Sequence, residues 1–141
     1  RSATNAIIPT KTGAALAVGK VLPNLNGKLD GIALRVPVSC GSIVDLVCVV
    51  KTSTTAIEVN EVIKDYIINN NLSSIVSVCD EPIVSSDIIG TTESAIVDSA
   101  LTSVKEKIIK LFVWYDNESA YSKRLIDLAK LVAKSEKIRL E

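Results

Sequence analysis

Residues 108–135, IIKLFVWYDNESAYSKRLIDLAKLVAKS, pass from the pattern of a strand to the pattern of a helix within a few residues. The first eight are rich in β-branched and aromatic side chains, which favours a strand. Asp116 and Asn117 predict a turn and a helix N-cap, because short polar side chains accept hydrogen bonds from first-turn N–H groups. A helix follows from about residue 118 to residue 135. Its predicted apolar stripe is Tyr121, Leu125, Leu128 and Val132, with Arg124, Lys130 and Lys134 off that face.

The chain before this stretch alternates between helix and strand patterns. Residues 57–69 predict an amphipathic helix, because Val59, Val62, Ile63, Tyr66 and Ile67 fall on one helical face. Residues 14–22 predict a helix of small residues that Pro23 ends. Strands are predicted at Ile7-Ile8 and over residues 32–38, 42–50, 75–79, 83–88, 94–98 and 101–104. This order predicts an α+β fold, with a mostly antiparallel or mixed sheet covered by helices and a long C-terminal helix. We expect residues 1–141 to form a single domain.

Composition excludes several classes of function. Lys+Arg and Asp+Glu number 16 each, so bulk charge gives no indication of a nucleic-acid partner. No apolar run approaches the roughly 18–20 residues of a membrane span, and the N-terminus lacks the layout of a signal peptide. Three cysteines without C-x-x-C spacing indicate a reducing, cytoplasmic setting rather than a disulfide framework. The chain has no histidine, so neither a metal site nor the commonest general base is predicted.

No nucleotide-binding loop is predicted either. Residues 13–20 superficially suggest a P-loop, but five residues separate the two glycines instead of four. Val21 also stands where a Ser or Thr would hold magnesium. Because G-x-G-x-x-G occurs nowhere, we expect no dinucleotide-binding domain in this chain.

Three positions suggest ligand binding, and each also has an ordinary structural interpretation. Thr12-Gly13 precedes a predicted helix, so its hydroxyl and N–H groups suit a phosphate, or Thr12 is a plain N-cap. Arg35 is the only charge in its apolar strand, where it binds phosphate, faces water or pairs with Asp45. The amide of Asn117 caps the last helix or offers a donor and an acceptor to a carboxamide-bearing ligand. The cysteines are interpreted as small buried apolar residues.

Four blocks of sequence follow one another along nearly the whole chain. They are residues 7–15 with 19–29, Arg35-Val36-Pro37 with Val44-Asp45-Leu46, Val84-Ser85-Ser86-Asp87, and Trp114-Tyr115-Asp116-Asn117-Glu118 with Tyr121-Ser122. In this order they resemble the C-terminal, catalytic-domain portion of the glyceraldehyde 3-phosphate dehydrogenases. The resemblance implies a glycolytic oxidoreductase, in which a cysteine thiolate attacks the aldehyde, NAD (or NADP) takes a hydride and inorganic phosphate releases 1,3-bisphosphoglycerate.

The resemblance also implies roles for five residues of this chain. Arg35 corresponds to the pocket for the phosphate of glyceraldehyde 3-phosphate, and Thr12 and Gly13 to the pocket for inorganic phosphate. Asn117 corresponds to the contact with the nicotinamide carboxamide, and Tyr121 lies near that ring. The resemblance further implies a homotetramer as the complete enzyme, with neither nucleic acid nor a membrane among its partners.

The chain departs from the family in ways that bear on activity. The family's cofactor domain, nucleophilic cysteine segment and catalytic histidine have no counterpart in it. We therefore expect no catalytic residue in this segment, no turnover by it alone and no NAD binding by it alone. Lys11 replaces a usual serine, and Ser119-Ala120 replace an aromatic residue and a glycine. Two alternatives stay open: a relative that oxidises erythrose 4-phosphate, and a non-catalytic binding or assembly remnant.

Overall fold

A computed structural model describes residues 3–135, which fall into two compact units: unit one ends at Ser39, and unit two begins at Cys40. The ends of the expected 1–141 domain lie outside the described residues, and the single domain stays a prediction. The strands are β1 (Ile8–Lys11), β2 (Ile32–Arg35), β3 (Ser42–Val49), β4 (Val76–Cys79), β5 (Ala95–Lys105) and β6 (Ile108–Tyr115). The α-helices are α1 (Ala14–Val21), α2 (Ala56–Asn69) and α3 (Asn117–Ser135), and short 3-10 turns span Ala3–Asn5 and Pro23–Leu25.

Unit one is built on an antiparallel pair of short strands, β1 and β2. Ile8 lies opposite Arg35 at one end of the pair, and Lys11 lies opposite Ile32 at the other. Helix α1 begins three residues after β1 and ends before Pro23, as the sequence predicts. Strand β2 ends at Arg35, before the predicted residue 38, since Pro37 lacks an N–H and restrains the residue before it.

Unit two contains a four-stranded mixed sheet in the order β3-β6-β5-β4. The pairs β3/β6 and β6/β5 are antiparallel, and β4/β5 is parallel. Helix α2 packs against β4 and β5. A capping box starts α2, in which Thr55 Oγ1 accepts the Glu58 N–H and the Glu58 carboxylate accepts the Thr55 N–H. The predicted α+β class with a mixed sheet is therefore confirmed.

Two strand predictions need correction. Residues 83–88 form no strand, and residues 85–90 form a turn instead, because Asp87 Oδ2 accepts the Val84 N–H at 2.7 Å and Gly90 adopts φ of 81°. The separate strands predicted over 94–98 and 101–104 are one strand, β5, whose register shifts between Asp98 and Ser103. Asp98 is buried at this shift, where its two carboxylate oxygens accept the Leu101 N–H and the Trp114 indole N–H.

The predicted helix faces agree only in part with the packing. On α2, Ile67 is buried, whereas Val62 and Tyr66 of the same predicted face are exposed. On α3, Ala120 and Ala133 are the buried residues. All four members of the predicted stripe on α3, Tyr121, Leu125, Leu128 and Val132, are exposed. Amphipathic periodicity thus identifies both helices, but it does not predict which face of each helix is buried within residues 3–135. Within residues 3–135, no helix is both long and apolar enough to cross a membrane.

Candidate functional site

The start of α3 is held by the buried carboxylate of Asp116, which is 3% exposed. Its Oδ1 accepts the Ser119 N–H at 3.0 Å, three residues along the chain, in the manner of an N-cap. Its Oδ2 accepts the Gly90 N–H at 2.8 Å, which ties the helix start to the turn over residues 85–90. These N–H donors, that of Gly90 first and that of Ser119 second, lower the pKa of Asp116 from its ordinary value of 3.8.

Cys40 lies beside this carboxylate. Its Sγ is 3.7 Å from Asp116 Oδ2 and 3.9 Å from Glu118 Oε2. Burial first, and then the negative charges of Asp116 and Glu118, raise the pKa of the Cys40 thiol. The Cys40 thiol is therefore a poor nucleophile. Cys40, Cys48 and Cys79 are all only partly buried, so the interpretation of the cysteines as small buried apolar residues needs correction.

One atom from each of Cys40, Asp116 and Glu118 lies within 4.8 Å of the others, an arrangement that metal ions sometimes use. Both Asp116 oxygens, however, already accept backbone N–H groups. The cluster is therefore accounted for as a capping network that fixes the first turn of α3.

Asn117 and Tyr121, the two residues predicted to contact the cofactor, lie together on the first two turns of α3. Both border an open cavity of about 190 Å³, whose lining is Ser94, Tyr115, Asn117, Ala120, Tyr121 and Arg124. The capping interpretation of Asn117 is wrong, because Asp116 supplies the cap and Asn117 is the first helical residue. Within the described part of the chain, the Asn117 carboxamide makes no hydrogen bond, so its donor and acceptor are both free for a ligand.

Thr12 and Gly13 lie at the N-terminus of α1, as predicted. The Gly13 carbonyl accepts the Ala17 N–H at 3.0 Å, and Thr12 Oγ1 accepts the Ala14 N–H at 3.2 Å. The hydroxyl thus has a partial capping role, while the N–H groups of Ala15 and Leu16 have no acceptor inside the helix. A Cβ built on Gly13 would meet nothing within 4 Å, so the space beside Gly13 itself is open.

Arg35 lies at the other end of the β1/β2 pair and is exposed. Because it lies opposite Ile8, it is about 10 Å along the strands from the level of Lys11, which leads into Thr12. Strand alternation places Arg35 on one face of the pair and Lys11 on the other. Within the described part of unit one, no carboxylate pairs with the Arg35 guanidinium. Asp45, its alternative partner in the sequence, forms an ion pair with Lys110 at 2.9 Å.

Charge is divided unevenly between the two units, which the neutral total conceals. Residues 1–39 contain five basic residues and one acidic residue, whereas residues 40–141 contain 11 basic and 15 acidic. The unit with Thr12, Gly13 and Arg35 is thus the basic one, as suits a segment that attracts anions.

Sequence reasoning missed two features of unit two. The link between Asp116 and Gly90 joins positions 26 residues apart, and no local pattern signals it. The pattern places Arg124 only off the apolar stripe of α3, yet Arg124 lines the same cavity as Asn117. Arg124 follows Asn117 by seven residues, or about two helical turns, and this spacing in the sequence indicates that both lie on one face of the helix.

Comparisons with known proteins agree with the resemblance. A family model described as the C-terminal domain of glyceraldehyde 3-phosphate dehydrogenase matches residues 1–117. A glyceraldehyde-3-phosphate dehydrogenase of Mycobacterium avium is 48% identical over 135 residues, 96% of this chain and 40% of its own length. A chloroplastic glyceraldehyde-3-phosphate dehydrogenase of Arabidopsis thaliana is 51% identical over 134 residues, 94% of this chain and 34% of its own length. The chain thus spans between a third and two fifths of the length of these curated relatives.

Proposed function

The chain belongs to the glyceraldehyde 3-phosphate dehydrogenase family, and on this premise we propose that it supplies the phosphate-binding and nicotinamide-contacting part of the complete enzyme. That enzyme carries out the NAD-dependent oxidation and phosphorylation of D-glyceraldehyde 3-phosphate to 1,3-bisphosphoglycerate. The reaction needs two anion sites, one for the phosphate already on the substrate and one for the inorganic phosphate that attacks the acyl group.

The observation that carries this proposal is the arrangement of unit one. It presents an exposed guanidinium at Arg35 and, after Gly13, first-turn N–H groups without acceptors inside the helix, at opposite ends of one strand pair. Arginine binds phosphate through two parallel hydrogen bonds, and helix N-termini bind anions through N–H groups. The two groups lie at different ends of the strand pair, which suits a reaction that holds one phosphate while a second phosphate attacks.

The start of α3 supports the cofactor part of the proposal. A carboxamide such as that of nicotinamide offers one acceptor and one donor, and the free side-chain amide of Asn117 complements both. Tyr121, one turn further along the same face, offers an aromatic ring at the edge of the same cavity. These residues fit the nicotinamide end of NAD, which when bound accepts the hydride. The residues of this chain bind and orient, and the thiolate and its base come from other parts of the complete polypeptide.

The sheet of unit two supports assembly into the homotetramer. On the sheet face with Lys110, neighbouring strands expose Ile43, Val47, Val49 and Ile108, of which Val47 is 58% and Val49 78% exposed. These apolar side chains lie around the Asp45–Lys110 ion pair of the same face, and exposed apolar groups beside polar ones are a feature of interaction surfaces. We assign this face to contact with a second copy, in a cytoplasmic enzyme.

The proposal is tested with the complete polypeptide. Oxidation of glyceraldehyde 3-phosphate with NAD should require inorganic phosphate, and it should exceed oxidation of erythrose 4-phosphate. Preference for erythrose 4-phosphate without any phosphate requirement would favour the alternative relative. No oxidation of either sugar would favour the non-catalytic remnant.

A further inference from the structure

We propose that Arg124 is a positioning residue that holds the cofactor-contacting face of α3, a role that rests on the proposed function and extends it. Asn117, Tyr121 and Arg124 occupy positions i, i+4 and i+7 of the helix, so they share one face. All three line the same cavity, together with Ser94. In that lining, Arg124 is the one charged residue.

The guanidinium of Arg124 links α3 to the sheet. Its Nη1 donates to Ser94 Oγ at 3.3 Å, and Ser94 immediately precedes β5. Ser94 is itself anchored, because its N–H donates to the Ile75 carbonyl at 2.7 Å. Long side chains on a helix point toward its N-terminus, so the Arg124 link acts on the turns that carry Asn117 and Tyr121.

The other contacts of Arg124 show that it is not placed for stability alone. Its Nη2 lies 2.8 Å from Asp127 Oδ2, and that carboxylate also pairs with Lys123. Within the described residues, the buried Nε and Nη2 atoms have no hydrogen-bond partner of adequate geometry. The ion pair with Asp127 compensates the charge at Nη2, whereas a buried Nε–H without an acceptor is destabilising, a penalty that an uncharged side chain of similar size would avoid.

The same burial indicates an indirect role. The Nε and Nη2 atoms are closed to solvent, and Nη1 donates to Ser94 Oγ, so each nitrogen of the guanidinium is either buried or engaged with the protein. Two tethers therefore fix the first two turns of α3: the Asp116 cap at their start and the Arg124–Ser94 link at their end. Without the Arg124–Ser94 hydrogen bond, the helix face with Asn117 and Tyr121 is no longer held in a fixed position relative to the sheet.

A double-mutant cycle in the complete enzyme tests this inference. Arg124→Leu, Arg124→Lys and Ser94→Ala are each made alone and together with Asn117→Ala, and KM for NAD, kcat and Tm are measured. Arg124→Leu should raise KM for NAD by roughly 3–30-fold when Asn117 is present and less than about 2-fold when it is absent, since a residue that acts through another is non-additive with it. Arg124→Lys should restore part of the loss, because it keeps the charge without the planar fork.

Ser94→Ala keeps the inference testable if Arg124→Leu does not fold, because it removes only the accepting hydroxyl. It should give the same Asn117-dependent pattern with a smaller amplitude. Lys123→Leu is the matched control, since it removes the neighbouring cation on Asp127 and should leave KM for NAD unchanged. Equal fold-changes in both Asn117 backgrounds, or a lower Tm with unchanged KM, would overturn the inference. An Asn117→Ala variant that binds NAD normally would instead overturn the cofactor assignment on which it rests.

Discussion

The backbone N–H of Gly90 donates to Asp116 Oδ2 at 2.8 Å, which fixes the first turn of α3 to a turn 26 residues earlier in the chain. The same carboxylate accepts the Ser119 N–H, so one buried side chain both caps the helix and sets its position. Because Asn117 follows directly, this carboxylate determines where the proposed cofactor contact lies.

Replacing Asp116 should therefore lower stability in a pH-dependent way. The pKa of Asp116 is lower in the folded chain than its ordinary 3.8, so its stabilising effect is present above that value. The effect is lost as the pH falls through the lower, folded pKa. Asp116→Asn should lower Tm by several degrees near pH 7 and flatten the acid side of the Tm–pH profile.

Glu118→Gln is the control for this prediction. It removes a neighbouring carboxylate whose oxygens, within the described residues, accept no backbone N–H. It should change Tm much less than Asp116→Asn does. Equal Tm values for the two variants across the acid range would show that the Asp116 cap does not stabilise α3.

Asn117→Ala should weaken cofactor use without loosening the helix. Losing the partner of a polar group costs about 1–3 kcal/mol, so kcat/KM for NAD should fall by about 5–150-fold. Since Asp116 is the cap, Tm should stay within about 1 °C of the parent value. Ser122→Ala, which removes a hydroxyl that donates to the Glu118 carbonyl, serves as the control. A lower Tm with unchanged cofactor kinetics would give Asn117 a structural role only.

The sequence predicts some elements closely and others poorly, for reasons that specific residues show. Ile108–Tyr115 is predicted to the residue, because local preference and tertiary pairing agree there. The strand predicted over residues 83–88 fails because the Asp87 side chain and Gly90 favour a turn. The Gly90–Asp116 and Arg124–Ser94 links depend on distant positions, so no local pattern reveals them.

The residues of the candidate site are likewise predicted only in part. Motif resemblance identifies Thr12, Gly13, Arg35, Asn117 and Tyr121, whose ligand roles stay predictions. It does not identify Asp116 as the residue that caps α3. That distinction depends on φ and ψ at the helix start and on which carboxylate is buried. The apolar stripe predicted on α3 is exposed within residues 3–135.

The exposed sheet face should carry the subunit contacts of the complete protein. Val47→Glu adds a further charge to a face that also exposes Ile43 and Val49, and it should dissociate the proposed homotetramer, as measured by sedimentation velocity. Val84→Glu, at a residue that is also 58% exposed but lies before the 85–90 turn, should leave the assembly intact. If both variants stay tetrameric, a different face mediates assembly.

The segment alone should not oxidise glyceraldehyde 3-phosphate. The raised pKa of Cys40 disfavours its thiolate, and the chain has no histidine to act as a base. Turnover assays on the purified 141-residue chain should give only background rates. The mass of the native subunit complements this assay. A subunit two to three times as long as this chain would support the enzyme, and a subunit of this length would support the non-catalytic remnant. Turnover that disappears when Cys40, Cys48 or Cys79 is replaced would contradict the prediction.

The substrate preference of an Arg35→Leu variant of the complete enzyme tests the phosphate-site assignment most directly. Losing a charge-assisted contact costs roughly 1.5–3 kcal/mol, so kcat/KM for glyceraldehyde 3-phosphate should fall on the order of 10–150-fold. Oxidation of unphosphorylated glyceraldehyde should barely change, and Arg35→Lys should recover only part of the loss. Lys11→Leu, which removes a cation from the opposite face of the same strand pair, should spare the preference for the phosphorylated substrate. An Arg35→Leu variant that loses both activities equally, or loses only Tm, would contradict the assignment of this residue to the substrate phosphate.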